Sequence, residues 1–504
     1  MTGATLSRRS VLAASGASAL LGGCAGAEDT VLPADNGPFE ALLIEPGWAW
    51  LGTAADEPLL REPRILVKGD RIAEINPSEV AQDVPSLRFP RSILMPGFIS
   101  GHTHVCGGTP TRGIIEGGRS YNRALSMVET LSDEDLDALT AFNLAELLLS
   151  GCTTQVEMSL TLRQAESYVR VAKRWGARGY PGPMLPGRMR LYPIWFRTDD
   201  QVLFDSESGT LAEVQAALEF GRRNAGAGEG RIQPMMSPHA CDTQTAATMA
   251  AIKKAAAELG TGVHIHLSQG SQETKTVKRL WGKTPTQWCE EHGFFDGPFF
   301  GAHMSGLDWA VDAPILKKHG AVFAHCPSAG GAGGSSMPFP EGLGHGLAVN
   351  IGIDTHSNDF LENLKLSVLY GQARYFLMRG QTDLPIKKPS IEDAVRGATV
   401  VPADALGRDD LGRIAVGSKA DLTAIDVGDF LVGGGALPPE PLNNLLYANG
   451  KSVHFTMTDG RVQVQDGVLV ADDHDEVSRR GGEVLSKIWQ QLEEEGWFEG
   501  SGSS

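Results

Sequence analysis

The chain is poor in positive charge and has no run of lysine or arginine. Its 504 residues include 44 Lys and Arg against 61 Asp and Glu, so the formal net charge is -17 at pH 7. Nucleic acids and anionic membrane surfaces are bound through basic patches. The composition therefore argues against both kinds of partner, and we expect no nucleic-acid partner.

Cysteine is scarce as well, and no two cysteines have C-x-x-C spacing. The six cysteines are widely scattered, which excludes a disulfide framework and a zinc finger. No apolar run is long enough for a transmembrane helix. With 41% hydrophobic and 21% charged residues, the chain has the composition of a globular protein with a large core.

The first 27 residues have the composition of an export signal. Arg8 and Arg9 precede a short, Ala-rich apolar stretch, as in a twin-arginine signal. The run LLGGC resembles a lipobox, which would make Cys24 the lipidated first residue of the mature protein, but cleavage after Ala27 is the alternative. We expect an exported, periplasmic protein whose only membrane contact is a lipid anchor at Cys24, if that site is used.

Two patterns of secondary structure divide the rest of the chain. Short strand-like runs with Gly and Pro turns fill residues 28–96 and return over 405–475, whereas strand-like and helix-like stretches alternate over 97–404. Alternation of this kind predicts a parallel sheet built from β/α units. We therefore predict an α/β fold: a (β/α)8 TIM-like barrel with a small β-sandwich domain formed by both ends of the chain.

Residues 476–504 are predicted to form a C-terminal helix and tail. Helical periodicity places five apolar residues on one face, so the helix should pack against the body of the protein. These residues are Val484, Leu485, Ile488, Trp489 and Leu492.

Histidines collect at the ends of apolar runs. Residues two apart in a strand point the same way, so His102 and His104 can offer two imidazoles to one metal ion, and His264 and His266 repeat the spacing. Later runs end in His303, His325 and Asp354. Barrel enzymes assemble their sites at the C-terminal ends of the strands, which favours a metal site over core histidines.

A glycine-rich stretch covers residues 328–346. It lacks the Gly-Lys-Ser/Thr ending of a phosphate-binding loop. We interpret it as a flexible loop near the site rather than as a nucleotide-binding element.

Seven ordered motifs make the chain resemble the amidohydrolase superfamily, in particular its branch of mononuclear deaminases and triazine hydrolases. The motifs are LMPGFISGHTH, MSPHACDTQT, VHIHLSQGSQE, FGAHMSGL, GAVFAHCPS, NIGIDTHSND and LGRDDLGRIAVGSKADLTAID. The resemblance implies one divalent metal, with zinc as the first choice and iron or manganese as alternatives. The implied ligands are His102, His104, His266 and Asp354.

The resemblance also implies roles in catalysis. His303 would act beside the water that the metal activates, and Asp354 would carry protons as well as ligate the metal. His239 is the expected substrate-facing histidine. We interpret His264 and His325 as structural, although His264 shares a strand face with His266 and could support a ligand.

Three positions raise questions about the reaction. Related deaminases have a glutamate where this chain has Gln269, although Glu273 does match, and glutamine cannot transfer a proton. Gln269 is therefore expected to bind substrate, and His356, two positions after Asp354, is a further candidate for the pocket. Glu157 is the one acidic residue in an apolar run that could support a second metal or contact the substrate.

These features predict a metal-dependent hydrolase that cleaves a non-peptide carbon–nitrogen bond of a small organic compound. An amide, urea, carbamate or lactam needs only an activated water and a proton for the leaving nitrogen. The alternatives are a deaminase of purine-, pyrimidine- or triazine-like heterocycles and, in another class, a non-catalytic metal- or ligand-binding barrel. The sequence leaves homo-oligomer formation open.

Overall fold

The structure is a computed structural model that describes residues 37–53, 58–114, 117, 119, 121–335 and 337–498. The predicted signal, with Cys24, lies outside the described residues. The strands are β1 (Leu42–Trp50), β2 (Leu59–Arg61), β3 (Ile65–Lys68), β4 (Arg71–Ile75), β5 (Ser86–Pro96), β6 (Phe98–Thr103), β7 (Cys152–Ser159), β8 (Arg178–Leu185), β9 (Ser237–Pro238), β10 (Val263–Leu267), β11 (Phe299–His303), β12 (Val322–His325), β13 (Ala348–Ile351), β14 (Leu422–Asp426), β15 (Val453–Thr458), β16 (Arg461–Gln465) and β17 (Val468–Leu469).

The helices surround these strands, and most lie between successive strands of the barrel. They are α1 (Asn122–Val128), α2 (Asp133–Leu149), α3 (Leu162–Trp175), α4 (Arg188–Trp195), α5 (Gln201–Asp205), α6 (Glu207–Asn224), α7 (Ala246–Leu259), α8 (Ser271–Trp281), α9 (Pro285–Glu291), α10 (Trp309–His319), α11 (Pro327–Ala332), α12 (Phe339–Gly344), α13 (Phe360–Met378), α14 (Ile391–Ala398), α15 (Val400–Ala405), α16 (Pro441–Asn444) and α17 (His474–Glu494). Among the described residues, no helix combines the length and the apolar character needed to cross a membrane.

Both ends of the chain build one sheet. Its strand order is β17-β16-β15-β14-β5-β1-β3-β4, with β2 paired to β1, so β5 joins the N-terminal strands to the C-terminal ones. The edge strand β4 also meets the segment before β14 through a bridge between Arg71 and Lys419. The sheet thus curls around an apolar core that includes Leu42 and Phe455. This confirms the small β-domain assembled from both ends.

Eight parallel strands form the barrel. Strands β6 to β9 and β10 to β13 make two four-stranded sheets. Isolated parallel bridges join these sheets on both sides, from Met236 to Val263 and from Thr103 to Asp354. The (β/α)8 barrel predicted from the alternating pattern is therefore confirmed.

Local sequence explains the strands and helices of the barrel. Strand β7 is buried along its whole length, as expected of a parallel strand covered on both faces. Helix α7 begins at a capping box in which the Thr245 hydroxyl accepts from the Thr248 amide. It ends at Gly260, whose φ of +61° is the left-handed conformation that glycine adopts most easily.

Helix α17 packs against α2 and the start of the barrel. Val484, Leu485, Ile488 and Leu492 are buried in a cluster with residues of α2. Trp489 is 36% exposed, and its indole N–H donates to the Pro110 carbonyl at 3.2 Å. The apolar face predicted from helical periodicity is thus the face that packs, with Trp489 at its edge.

Candidate active site

Four predicted ligands meet at the C-terminal end of the barrel. The Nε2 atoms of His104 and His266 lie 3.3 Å apart. Asp354 Oδ1 lies 3.6 Å from His104 Nε2 and 3.9 Å from His102 Nε2. The three imidazoles and the carboxylate therefore face one common point.

This spacing fits a single divalent cation. Ligands bound at about 2.1 Å in tetrahedral geometry lie about 3.4 Å from one another. The Nε2 atom of His102 is buried and has no hydrogen-bond partner among the described residues, as expected of an atom that ligates a metal. The donor set of nitrogen and carboxylate oxygen suits zinc, iron or manganese.

Backbone carbonyls orient two of the imidazoles. His104 Nδ1–H donates to the Met158 carbonyl at 2.6 Å, and His266 Nδ1–H donates to the His239 carbonyl at 2.7 Å. Because a carbonyl can only accept, each Nδ1 carries the ring proton. Both Nε2 atoms are left with a free lone pair that faces the common point.

Burial also sets the protonation of the ligands. Loss of solvation lowers the pKa of His104 to about 3 and that of His266 to about 4, so both rings are neutral at physiological pH. Burial raises the pKa of the Asp354 carboxyl to about 7. A cation at the common point would oppose this rise, because positive charge favours the ionised carboxylate.

His303 lies beside these residues at the end of β11. Its Nε2 is 3.7 Å from Asp354 Oδ2, and its ring stacks on that of His266. Both His303 and Asp354 have positive φ, +75° and +62°. Non-glycine residues rarely adopt this conformation, and it is concentrated at functional sites.

A cavity of about 250 Å³ opens onto this point. Its wall includes the predicted substrate residues His239 and Gln269. The His239 ring packs edge-on against Trp195, with centroids 4.9 Å apart. We call this the inner cavity.

His356 is half-buried and is not among the described residues that line the inner cavity; Thr355 lines it instead. The positive φ of Asp354 interrupts the alternation of side chains after β13. The placement therefore does not support a role for His356 in the pocket.

Glu157 holds the segment after β6 in place through a hydrogen bond to its backbone. Its carboxylate accepts from the Val105 amide at 3.0 Å and from the Ser159 hydroxyl at 2.9 Å. Burial raises its pKa to about 8, so the group is mostly protonated at neutral pH. Glu157 does not line the inner cavity. Two groups of described residues could hold a metal, His102 with His266 and His303, and His102 with His104 and Asp354, and Glu157 is in neither. This placement does not support a second metal at Glu157.

Sequence reasoning missed several residues of the inner wall, including Tyr121, Arg188 and Trp195. Arg188 is buried at the start of α4, and its guanidinium donates to the Asn122 carbonyl at 2.9 Å. Its place soon after β8, at the same end of the barrel as the histidines, was a usable signal. Tyr121 lies in the connection after β6 and Trp195 lies in α4 with Arg188, but no pattern in the sequence marks either aromatic residue as part of the wall.

A larger cavity of about 910 Å³ adjoins the inner one. Trp195, Gln269, Gly333 and Ser335 line both, so the two cavities are adjacent. Residues 328–346, predicted as a flexible loop, include most of the short helix α11 and all of α12. The predicted position near the site is correct, since Gly333 and Ser335 lie in this stretch.

A parallel barrel that presents three imidazoles and a carboxylate at its strand ends defines a metal-binding barrel enzyme. Residues 93–463 match the amidohydrolase family. The chain therefore belongs to the amidohydrolase family. It is a metal-dependent hydrolase that acts on carbon–nitrogen bonds other than peptide bonds. The predicted enzyme class is thus confirmed, and the non-catalytic barrel is not.

Similar proteins come from several organisms. The chain is 30% identical over 464 residues to a 5-methylthioadenosine/S-adenosylhomocysteine deaminase of Desulfitobacterium hafniense, covering 86% of this chain and 96% of the relative. It is 25% identical over 452 residues to a 5'-deoxyadenosine deaminase of Methanosarcina mazei, covering 85% and 95%.

Solved structures share the fold. A zinc-bound adenosine deaminase from Xanthomonas campestris superposes with a TM-score of 0.70 at 21% identity, covering 89% of this chain and 98% of its own. Atrazine chlorohydrolase from Arthrobacter aurescens complexed with zinc superposes with a TM-score of 0.73 at 19% identity, covering 88% and 100%.

Proposed function

We propose that the enzyme hydrolyses an amide-like carbon–nitrogen bond, such as that of an amide, urea, carbamate or lactam, in a small organic compound. The observation that carries this proposal is the number of carboxyl groups on the wall of the inner cavity. Among the described residues that line it, Asp354 is the only carboxylate, and Gln269 stands where related deaminases have a glutamate. Attack on a heteroaromatic ring needs a second proton donor, whereas an amide-like carbonyl does not.

The side chains around the common point can carry the steps of this reaction. A divalent cation held by His102, His104, His266 and Asp354 would polarise the carbonyl and supply hydroxide at neutral pH. Asp354 takes the proton of the attacking water and passes it to the leaving nitrogen. The buried Nε2 of His303 has no partner among the described residues and can hydrogen-bond the developing oxyanion.

The walls of the two cavities hold the substrate. Gln269 offers an amide donor and a carbonyl acceptor to the reacting group, and His239 lines the same cavity, packed against Trp195. The larger cavity accommodates the remainder of the molecule. These placements support binding roles for His239 and Gln269.

We further propose zinc as the metal, with iron or manganese as alternatives. The nitrogen-rich donor set supports zinc, and two similar structures are described with bound zinc. Metal analysis of protein purified without chelators tests this assignment directly.

Deamination of a heterocycle is the second candidate. Its support is the 30% identity to a 5-methylthioadenosine/S-adenosylhomocysteine deaminase over 96% of that protein. Two adjacent cavities would suit a heterocycle with a bulky substituent. The absence of a second carboxylate among the described residues of the inner wall makes this candidate the weaker one.

Export to the periplasm is part of the proposal. Arg8, Arg9 and the LLGGC run support a twin-arginine signal with Cys24 as the lipid-bearing residue, and cleavage after Ala27 is the alternative. The mass of the mature N-terminal peptide distinguishes the two.

A substrate panel tests the reaction. The zinc-loaded enzyme is assayed against amides, ureas, carbamates, lactams and aminated heterocycles, with Asp354→Asn as the inactive control. We expect release of a free amine from amide-like compounds. Ammonia release from aminated purines, with no turnover of any amide-like compound, would instead establish the deaminase.

A further inference from the structure

We propose that His264 is a positioning residue that holds His102 in the tautomer and orientation needed for metal binding. The inference rests on the metal centre described above. His264 Nε2 lies 2.7 Å from His102 Nδ1, and both side chains are fully buried. The rings meet edge-on, with an interplanar angle of 80°.

The proton between the rings is assigned by what His102 must do. A neutral imidazole carries one ring proton, and a nitrogen that ligates a metal carries none. If His102 Nε2 faces the cation, its proton is on Nδ1, and Nδ1–H donates to His264 Nε2. If His264 Nε2–H instead donated to His102 Nδ1, the proton of His102 would be on Nε2, and that atom could not ligate a metal.

Among the described residues, His102 is the only hydrogen-bond partner of the His264 ring. If Nε2 of His264 accepts from His102, the ring proton of His264 is on Nδ1, and Nδ1 has no hydrogen-bond partner among the described residues. A buried unpaired donor is rare in folded proteins. The presence of this unpaired donor favours a specific role for Nε2 of His264 over a role of the ring in packing alone.

The fold explains why a histidine supplies this contact. Backbone carbonyls hold His104 and His266, but the contact of His102 crosses the barrel interior between β6 and β10, which are not paired strands. His264 and His266 lie two apart in β10 and share its inner face. The first histidine of this H-x-H motif therefore supports a ligand, and the second is a ligand.

Three variants separate this role from packing. In His264→Gln the longer side chain can place its carbonyl oxygen near the position of Nε2, whereas in His264→Asn the amide reaches only the position of Nδ1. His264→Leu removes the acceptor. Loss of a group that holds a metal ligand lowers metal affinity by about 10- to 100-fold. We expect that loss in the Asn and Leu variants and a value within about threefold of wild type in the Gln variant.

Affinity is measured on the purified full chain by zinc competition against a chromogenic chelator, and the visible spectrum of the cobalt-loaded protein reports ligand geometry. His325→Asn is the matched control, because His325 is a buried barrel histidine that stacks on Phe339. It should leave zinc affinity unchanged. The thermal midpoints of the metal-free variants monitor folding.

The outcomes are distinct. Zinc affinity and a cobalt spectrum unchanged in His264→Leu would overturn the inference. Equal loss of affinity in the Gln, Asn and Leu variants, with equally lowered thermal midpoints, would assign His264 to packing and also overturn it. Failure of the wild-type protein to bind any divalent cation would remove the metal centre itself.

Discussion

Arg178 at the start of β8 forms a two-bond ion pair with Asp421, which immediately precedes β14. The Nε–Oδ2 and Nη2–Oδ1 distances are 2.8 and 3.0 Å, and the side chains are 2% and 4% exposed. Arg178 Nη2 also donates to Asp459 Oδ1 at 3.1 Å. This buried cluster joins the barrel to the sheet domain through side chains 243 residues apart in the chain.

Arg178→Met should destabilise the protein strongly. It leaves Asp421 without the guanidinium that pairs with it, and breaking a buried pair by removing one partner costs about 3–5 kcal/mol. Urea and thermal unfolding measure the loss. Lys253→Met is the control, since its partner Asp296 is 67% exposed and surface pairs contribute about 0–1 kcal/mol. Similar small losses in both variants would contradict the role assigned to the cluster.

Gln269→Glu should change the range of reactions. A glutamate on the wall of the inner cavity adds a group that can protonate a ring nitrogen, which glutamine cannot do. We expect the variant to gain measurable ammonia release from aminated heterocycles. Gln272→Glu, on the wall of the larger cavity alone, is the control. If neither variant gains deamination, residue 269 does not set the reaction type.

Asp354→Asn should abolish most of the activity. The asparagine cannot move a proton, and the loss of general acid–base catalysis lowers kcat by about 10²- to 10⁴-fold. Asp312→Asn is the matched control, because Asp312 in α10 is also a buried carboxylate, but it accepts from the Thr284 hydroxyl, away from the site. It should lower stability without lowering kcat. Steady-state kinetics with metal analysis distinguish these results.

Glu157 should make stability depend on pH. Burial raises its pKa from 4.5 to about 8, so the folded state holds this proton more tightly than the unfolded state does. Its contribution to stability is complete below pH 4.5 and is lost as the pH rises through about 8. Glu157→Gln remains neutral, so its stability relative to wild type should increase over this range.

The stabilities of Glu157→Gln and wild type are compared by thermal unfolding of the metal-free proteins at several pH values. Glu493→Gln, on the exposed face of α17, is the control for a substitution at the surface. A difference between Glu157→Gln and wild type that does not change with pH would show that the pKa of the Glu157 carboxyl is not shifted in the folded protein.

The barrel and its metal-binding character could be predicted from the sequence. Alternation of apolar runs with amphipathic stretches is a local signal, and it indicated a parallel sheet with the strand ends at one edge. The spacing of His102 and His104 within one strand placed two nitrogens together before any tertiary contact was known. The roles of His303, His239 and Gln269 in catalysis and binding stay predictions that the variants above test.

Only the tertiary structure decided which distant side chains touch. It brought His264 to His102, set Glu157 against the Val105 amide and put Thr355 rather than His356 on the cavity wall. Periodicity reports which face of a strand a residue occupies, but contacts across the interior depend on how eight strands are arranged around the barrel. The sequence by itself therefore determined the fold class and indicated which residues are candidate ligands, and the closed barrel decided which side chains support them.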